Sequence, residues 1–225
     1  MEFEIKDGNG KGKEYDDYGK LIFEGNYLNG KRLNGKRKEY DYNGNLLFEG
    51  EYLKGERNGE GKEYDYDGKL IFEGEYLNGK IWNGKRKEYD VNGKLIFERE
   101  YLNGKRNGKG KEYYNNGILL FEGEYLNEKR NGKGKEYDTD GKLIFEGEYL
   151  NGKRWNGKRK EYGFNGKIIF EGEYLNGKRN GKGKEYGFNG QIIFEGEYLN
   201  GKRWNGKGKE YGFNGKIIFE GEYLN

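Results

Sequence analysis

The sequence predicts an all-β protein: an elongated antiparallel meander of tandem β-hairpin repeats of 24–25 residues, an open single-sheet array over residues 1–225. Three observations carry this. The aromatic of an F-E-G core returns at Phe23, Phe48, Phe72, Phe97, Phe121, Phe145, Phe170, Phe194 and Phe219, at spacings of 25, 24, 25, 24, 24, 25, 24 and 25. A fixed period of this length marks a repeat array, in which each unit buries its apolar face against its neighbours. Side chains around each core alternate with a period of two, the strand period. Glycine supplies 43 of 225 residues, which weakens helices, and Asn-Gly or Asp-Gly pairs punctuate the units as hairpin signals.

Residues 1–15 read as a degenerate N-terminal cap. Phe3-Glu4-Ile5 stands where F-E-G belongs, and the loop that follows is four residues short. Terminal repeats are often atypical because one face has no neighbour. Regular repeats fill residues 16–225.

The first strand of each repeat, strand A, reads L-I-F-E-G-E-Y-L, as at Leu70–Leu77. One face carries Leu70, Phe72, Gly74 and Tyr76; the other carries Ile71, Glu73, Glu75 and Leu77. Strand B reads K-E-Y-x-x, as at Lys62–Tyr66, with a Tyr in every copy, Tyr113 and Tyr137 among them. For the turn from B to A, parity favours a three-residue loop, Tyr66-Asp67-Gly68, built as a type I turn followed by a left-handed glycine. That loop sets Tyr64 opposite Leu70 and brings the strand B tyrosine onto the aromatic face. The expected core is therefore Phe72, Tyr76, Phe97, Tyr113, Phe121, Tyr137, Phe145 and Phe170.

The turn from A to B reads as a longer loop, N-G-K-R-N-G, as at Asn176–Gly181. Four copies carry one extra residue there: Leu33, Trp82, Trp155 or Trp204. In three of the four, the second glycine of G-K-G becomes Arg37, Arg86 or Arg159, while Gly208 keeps it. Parity turns this position away from the strand B tyrosine and toward the Glu row of a neighbouring strand. Residues 152–176 and 201–225 differ only at Arg159 against Gly208, the mark of recent internal duplication. A length changed by duplication suits an extended surface better than a single catalytic centre.

Composition narrows the function. Apolar residues are 32% and charged residues 37%, so only a thin core is available, yet 22 Tyr and 13 Phe at fixed phase argue against disorder. Cys, His and Ser are absent, which removes thiolate, imidazole and serine nucleophiles. No catalytic residue, metal site or cofactor is expected. With 43 basic and 40 acidic residues the net charge is +3, too balanced to imply nucleic acid. No apolar run approaches the roughly 18–20 residues needed to span a bilayer. The N-terminal MEFEIKDGNG lacks the basic and apolar regions of a signal peptide, so a cytoplasmic location is expected.

The Glu pairs, such as Glu73 and Glu75, recur in most copies, whereas catalysis needs one singular site; cross-strand pairing with Lys or Arg explains them. Gly-Lys-Gly-Lys lacks the P-loop spacing and a following helix. What remains is the A-to-B edge, where the loops gather Arg154, Lys178, Arg179 and Arg203 beside Leu33, Trp82, Trp155 and Trp204. These are the candidate partner-binding residues. The plainer readings are a solvated edge that blocks sheet aggregation, and indoles folded over the open end of the aromatic row.

The units resemble MORN repeats in the variant form with a K-E-Y-x-x-N-G-K stretch. The matching residues are Phe72-Glu73-Gly74-Glu75-Tyr76, Asn78-Gly79, Asn83-Gly84 and Lys87-Glu88-Tyr89, and the match recurs along nearly the whole chain. It departs from the common form in a leading Phe in place of Tyr, one more residue between G-x-G and the strand B aromatic, and three copies without the second glycine. The resemblance implies an elongated hairpin meander and a binding activity: protein contacts, scaffolding, sometimes membrane attachment. Some bacterial proteins with the variant repeat are labelled antitoxins. The function expected is a non-enzymatic scaffold for a protein partner. The alternatives are a peripheral module on an anionic phospholipid surface and an antitoxin-like or immunity protein.

Overall fold

A computed structural model describes residues 5–212 and 215–224. Phe3 and Glu4 of the expected cap lie outside the described residues. No helix occurs among those described. The chain divides into two compact units, residues 1–110 and 111–225.

In the first unit β1 (Ile5–Lys6) and β2 (Asn9–Tyr15) precede the A strands β3 (Leu21–Leu28), β5 (Leu46–Leu53), β7 (Leu70–Leu77) and β9 (Leu95–Leu102). These alternate with the B strands β4 (Lys31–Tyr40), β6 (Glu56–Tyr64) and β8 (Lys80–Tyr89). The boundary falls within β10 (Lys105–Tyr113). The second unit holds the A strands β11 (Leu119–Leu126), β13 (Leu143–Leu150), β15 (Ile168–Leu175), β17 (Ile192–Leu199) and β19 (Ile217–Tyr223). Between them run the B strands β12 (Lys129–Tyr137), β14 (Lys153–Tyr162), β16 (Lys178–Tyr186) and β18 (Lys202–Tyr211). Within each unit successive strands pair antiparallel, a meander of hairpins as expected.

The A strands fall where the sequence places them. The B strands do not. Strand B of the third repeat begins at Glu56 and ends at Tyr64, rather than spanning Lys62–Tyr66. The expected long A-to-B loop is a two-residue turn, Asn176-Gly177, and the following K-R-N-G is already in β16. Asn176 and Gly177 both take positive φ, 53° and 73°, the type I′ geometry whose twist matches the flanking strands. Successive turns are tied together: the Gly177 amide donates to the Trp155 carbonyl at 2.8 Å, and the Asn176 amide donates to Asn156 Oδ1 at 3.0 Å.

The B-to-A turn is the predicted three-residue loop. Gly68 N donates to Asp65 O at 3.0 Å with Gly68 at φ 78°, and Asp65 N donates to Lys69 O at 2.9 Å. Asp65 Oδ1 accepts from the amides of Asp67 and Lys69. Tyr64 pairs with Leu70 as expected, but the next pair is Glu63 with Phe72. A bulge at Ile71 shifts the register by one, and a one-residue shift exchanges the faces. Glu63 therefore joins the aromatic face, and Tyr64 goes to the other, where its hydroxyl donates to Glu49 at 2.9 Å. Tyr137 likewise donates to Glu122 at 2.8 Å. Tyr113, next in its strand to Glu112, lies across the sheet from the phenylalanines by the same alternation. Tyr113 and Tyr137 are thus half-buried and outside the Phe core.

The core is the Phe–Tyr row of the A strands alone. Phe72, Phe121, Phe145 and Phe170 are buried, with Tyr76 beside them; Phe97 is half-buried. The rings meet edge to face, Phe121 against Tyr149 at 5.1 Å between centroids and Phe145 against Tyr149 at 5.2 Å, the arrangement favoured by the ring quadrupoles.

The extra residue of the 25-residue copies changes the register on the strand A side. In β11–β12 the second glycine of G-K-G, Gly134, meets Gly123 of F-E-G. In β13–β14 Trp155 is the bulged residue, and the first glycine, Gly157, meets Gly147. Strand B has slid by two residues. The position that must be glycine moves with it, and the old one, Arg159, now faces Phe145.

Candidate binding surfaces

The two faces of each meander carry different chemistry. On the aromatic face, each strand B contributes a Glu from K-E-Y, and most contribute an Arg from K-R. In the second unit Arg130 bridges Glu112 at 2.6 Å and Glu136 at 3.8 Å, and Arg154 Nε donates to Glu136 at 2.8 Å. Farther on, Arg179 bridges Glu161 at 2.7 Å and Glu185 at 3.2 Å, and Arg203 pairs with Glu185. The guanidinium carbons of Arg130 and Arg179 sit 4.1 and 3.9 Å from the centres of Phe121 and Phe170. The carboxylates of Glu112, Glu136, Glu161 and Glu185 also accept from the tyrosine of the next strand A, as Tyr149 gives to Glu136 at 2.7 Å.

These contacts perturb the titrations. Burial alone would raise the Glu136 pKa, but hydrogen bonds from Arg154 and Tyr149 outweigh it and hold it below the usual carboxylate range. At the more open Glu14, the Arg32 hydrogen bond lowers the pKa to about 2. Burial, then donation to Glu136, pushes Tyr149 well up. A row of strongly perturbed groups in a cleft would suggest catalysis. Here the same triad recurs in most repeats, its members pairing with one another, so it acts as a structural ladder.

The opposite face is a chequerboard of Lys and Glu. Lys62–Glu73 and Lys184–Glu195 close at 3.0 Å, and Lys135–Glu146 at 3.4 Å. In the second unit this face holds a groove of about 570 Å³ floored by Gly172, Gly183 and Gly196, with Lys158, Lys160 and Lys184 among its walls. Among the described residues no His, Cys, Asp and Glu cluster could hold a metal ion.

The predicted partner-binding residues are strand residues, not loop residues. Leu33 lies in β4, Trp82 in β8, Arg154 and Trp155 in β14, Lys178 and Arg179 in β16, and Arg203 and Trp204 in β18. Loop placement failed because Asn-Gly closes the turn in two residues and leaves K-R-N-G free to pair. The structure separates the set. Arg154, Arg179 and Arg203 belong to the ladder of the aromatic face. Trp155 and Trp204 are just over one third exposed, and Trp82 is half-buried with its ring beside Gly104 of the next turn.

The tips of the B-to-A turns carry a further feature beyond the residues expected from the sequence. The residue after the first turn position projects freely: Tyr42 is 94% exposed, Phe164 116% and Phe188 89%. The signal was present as an aromatic at one phase of successive turns, D-Y-N-G and G-F-N-G, that no core contact demands.

Two family patterns match. One, described as a MORN repeat variant, covers residues 33–54, 57–78, 82–103, 130–151, 155–176 and 204–225; the other, described as a MORN repeat, covers residues 100–118 and 170–192. No curated protein matches the chain. Similar solved structures include the crystal structure of TcdB2-TccC3-TEV, at 15% identity over 98% of this chain with a TM-score of 0.28. Another is the Photorhabdus luminescens Tc holotoxin pore, at 15% identity over 97% of this chain with a TM-score of 0.27. The chain spans 12% and 11% of those two proteins.

Proposed function

This chain belongs to the family of the MORN repeat variant, and from that membership we propose that it is a non-enzymatic scaffold whose partner is a protein. MORN repeats are generally repeat scaffolds that bind proteins or membranes, and the family is typically non-enzymatic. The observation that carries the protein-binding reading is the set of projecting aromatics at the B-to-A turns, Tyr42 and Tyr66 in the first unit and Phe164 and Phe188 in the second. Most charges of both sheet faces pair across strands, whereas these rings are apolar surface that serves no internal contact. Aromatic anchors presented by rigid hairpins are the residue type that dominates protein interfaces. The test is affinity capture with the whole chain, then with Tyr42→Ser, Tyr66→Ser, Phe164→Ser and Phe188→Ser combined. Loss of the captured partner at unchanged melting temperature supports the reading; full retention removes it.

A second reading has its own observation. In the turns at 163–166, 187–190 and 212–215, Gly replaces the leading Asp found at Asp41, Asp65, Asp90 and Asp138, and Phe occupies the next position. Residues 213 and 214 lie outside the described set. Such tips carry a ring and no acid, with Lys167 or Lys216 following two of them, a composition suited to an anionic lipid interface. Sedimentation with phosphatidylserine vesicles distinguishes it: co-sedimentation abolished by Phe164→Ser with Phe188→Ser favours this reading.

A further inference from the structure

One pair of positions breaks the repeat twice over. Every other strand A has Gly after F-E; β9 has Arg99. On strand B, the second glycine is Arg at Arg37, Arg86 and Arg159. Arg37 faces Gly50 and Arg159 faces Gly172 across the sheet. Arg86 alone among them faces another arginine, Arg99. Like charges directly opposite on adjacent strands oppose pairing, so this site sets two cations against each other where Arg37 and Arg159 meet a glycine.

The carboxylates within reach are already engaged. Arg86 Nη1 lies 3.3 Å from Glu63 Oε2, but the other oxygen of Glu63 holds Arg57 at 2.6 Å. Glu88, the Glu of the same strand B, pairs with Arg106 at 3.6 Å. Arg99 stacks on Phe97 with its guanidinium carbon 3.8 Å from the ring centre. Among the described residues it makes no ion pair, and its Nε is buried without a hydrogen-bond partner. Arg86 therefore shares Glu63 with Arg57, Arg99 holds no carboxylate among the described residues, and one of its buried donors is unused.

We propose that Arg86 and Arg99 form a binding site for a phosphate group. Guanidinium presents a planar fork of donors that suits the oxygens of a phosphate. Two forks on adjacent strands offer donors from two directions to a tetrahedral group, and a dianion balances the charge that the protein leaves open. Stacking on Phe97 holds one fork in place before the ligand arrives, as Glu63 holds the other. Both arginines depart from glycine, so returning either to glycine restores the repeat rather than damaging it; Gly208 shows glycine at the position of Arg86 in another 25-residue copy.

The phosphate can come from a soluble molecule or from a lipid headgroup, and the test separates the two. The whole chain is titrated with inorganic phosphate against chloride of equal ionic strength, following melting temperature and heat of binding by calorimetry. In parallel it is sedimented with phosphatidylcholine vesicles with and without phosphatidic acid. The expected result is saturable phosphate binding that weakens at least tenfold in Arg99→Gly and in Arg86→Gly, with circular dichroism unchanged. Lys182→Ala should retain wild-type binding. Co-sedimentation that needs both phosphatidic acid and Arg99 assigns the site to lipid; binding of inorganic phosphate alone assigns it to a soluble ligand. Equal responses from the wild type and Arg99→Gly, or no response to either probe, would overturn the proposal.

Discussion

Gly157 and Gly147 face each other across β13 and β14 so closely that a Cβ on Gly157 would lie 2.6 Å from the Cα of Gly147. In β12 the glycine in that role is Gly134, two positions later in the motif. The inserted Trp155 thus decides which glycine of the strand is obligatory, and this explains why Arg replaces the second glycine only in copies with an insertion.

From this follows an unequal response to one substitution. At Gly183, in a 24-residue copy, a Cβ would meet the Phe170 ring at 2.9 Å and Tyr198 at 3.1 Å. Gly183→Arg should cost at least 3 kcal/mol, about the upper range for overpacking a core. At Gly208 the close neighbour is the single ring of Tyr223, and Arg159 already occupies the matching site, so Gly208→Arg should cost less than about 1 kcal/mol. Denaturation midpoints of the two variants check this; equal losses would disprove the register argument.

Removal of a core ring should be far more damaging than removal of a face charge. Phe121 is fully buried, between Tyr125, Tyr149 and the Arg130 guanidinium. Phe121→Ala should lose about 3–5 kcal/mol, and Lys182→Ala less than about 0.5 kcal/mol. Urea titrations of both variants measure the difference.

One turn carries a removable strain. In the Asn127-Glu128 turn Glu128 takes φ 68°, where every other regular copy has Gly. A non-glycine residue in the left-handed region is disfavoured by roughly 1–2 kcal/mol. Glu128→Gly should raise stability by about 1 kcal/mol, and an unchanged or lower midpoint would count against it.

Stability should fall at both ends of the pH scale. The carboxyls of Glu14, Glu39, Glu136, Glu161 and Glu185 titrate below their ordinary values. A depressed folded pKa contributes stability that is present above the unfolded value near 4.3 and lost as pH drops through the folded one. Unfolding should therefore set in between pH 4 and about 2. Tyr137 and Tyr186 are raised by burial, then by donation to Glu, to about 12. Their contribution is present below the unfolded value near 10 and lost as pH rises toward 12. Melting temperature against pH should form a plateau with both shoulders; a flat alkaline side would show that the tyrosine contacts do not stabilise the fold.

Much of this protein was legible from residue order alone. The period, the strand A alternation and the buried Phe row follow from side chains that repeat at fixed phase, and the three-residue B-to-A turn follows from the glycine at its left-handed position. These are local properties, settled by backbone sterics within a few residues. Only the tertiary structure decided which face each strand B side chain takes. A bulge at Ile71 sends Tyr64 across the sheet and brings Glu63 in, and a bulge at Trp155 slides β14 by two residues. Parity counting cannot find such bulges, because their positions depend on how a Phe ring, a glycine pair and an Arg–Glu ladder from three strands fit together. The same long-range fit places Arg154, Arg179 and Arg203 over the core rather than on a loop edge, and sets Arg86 against Arg99.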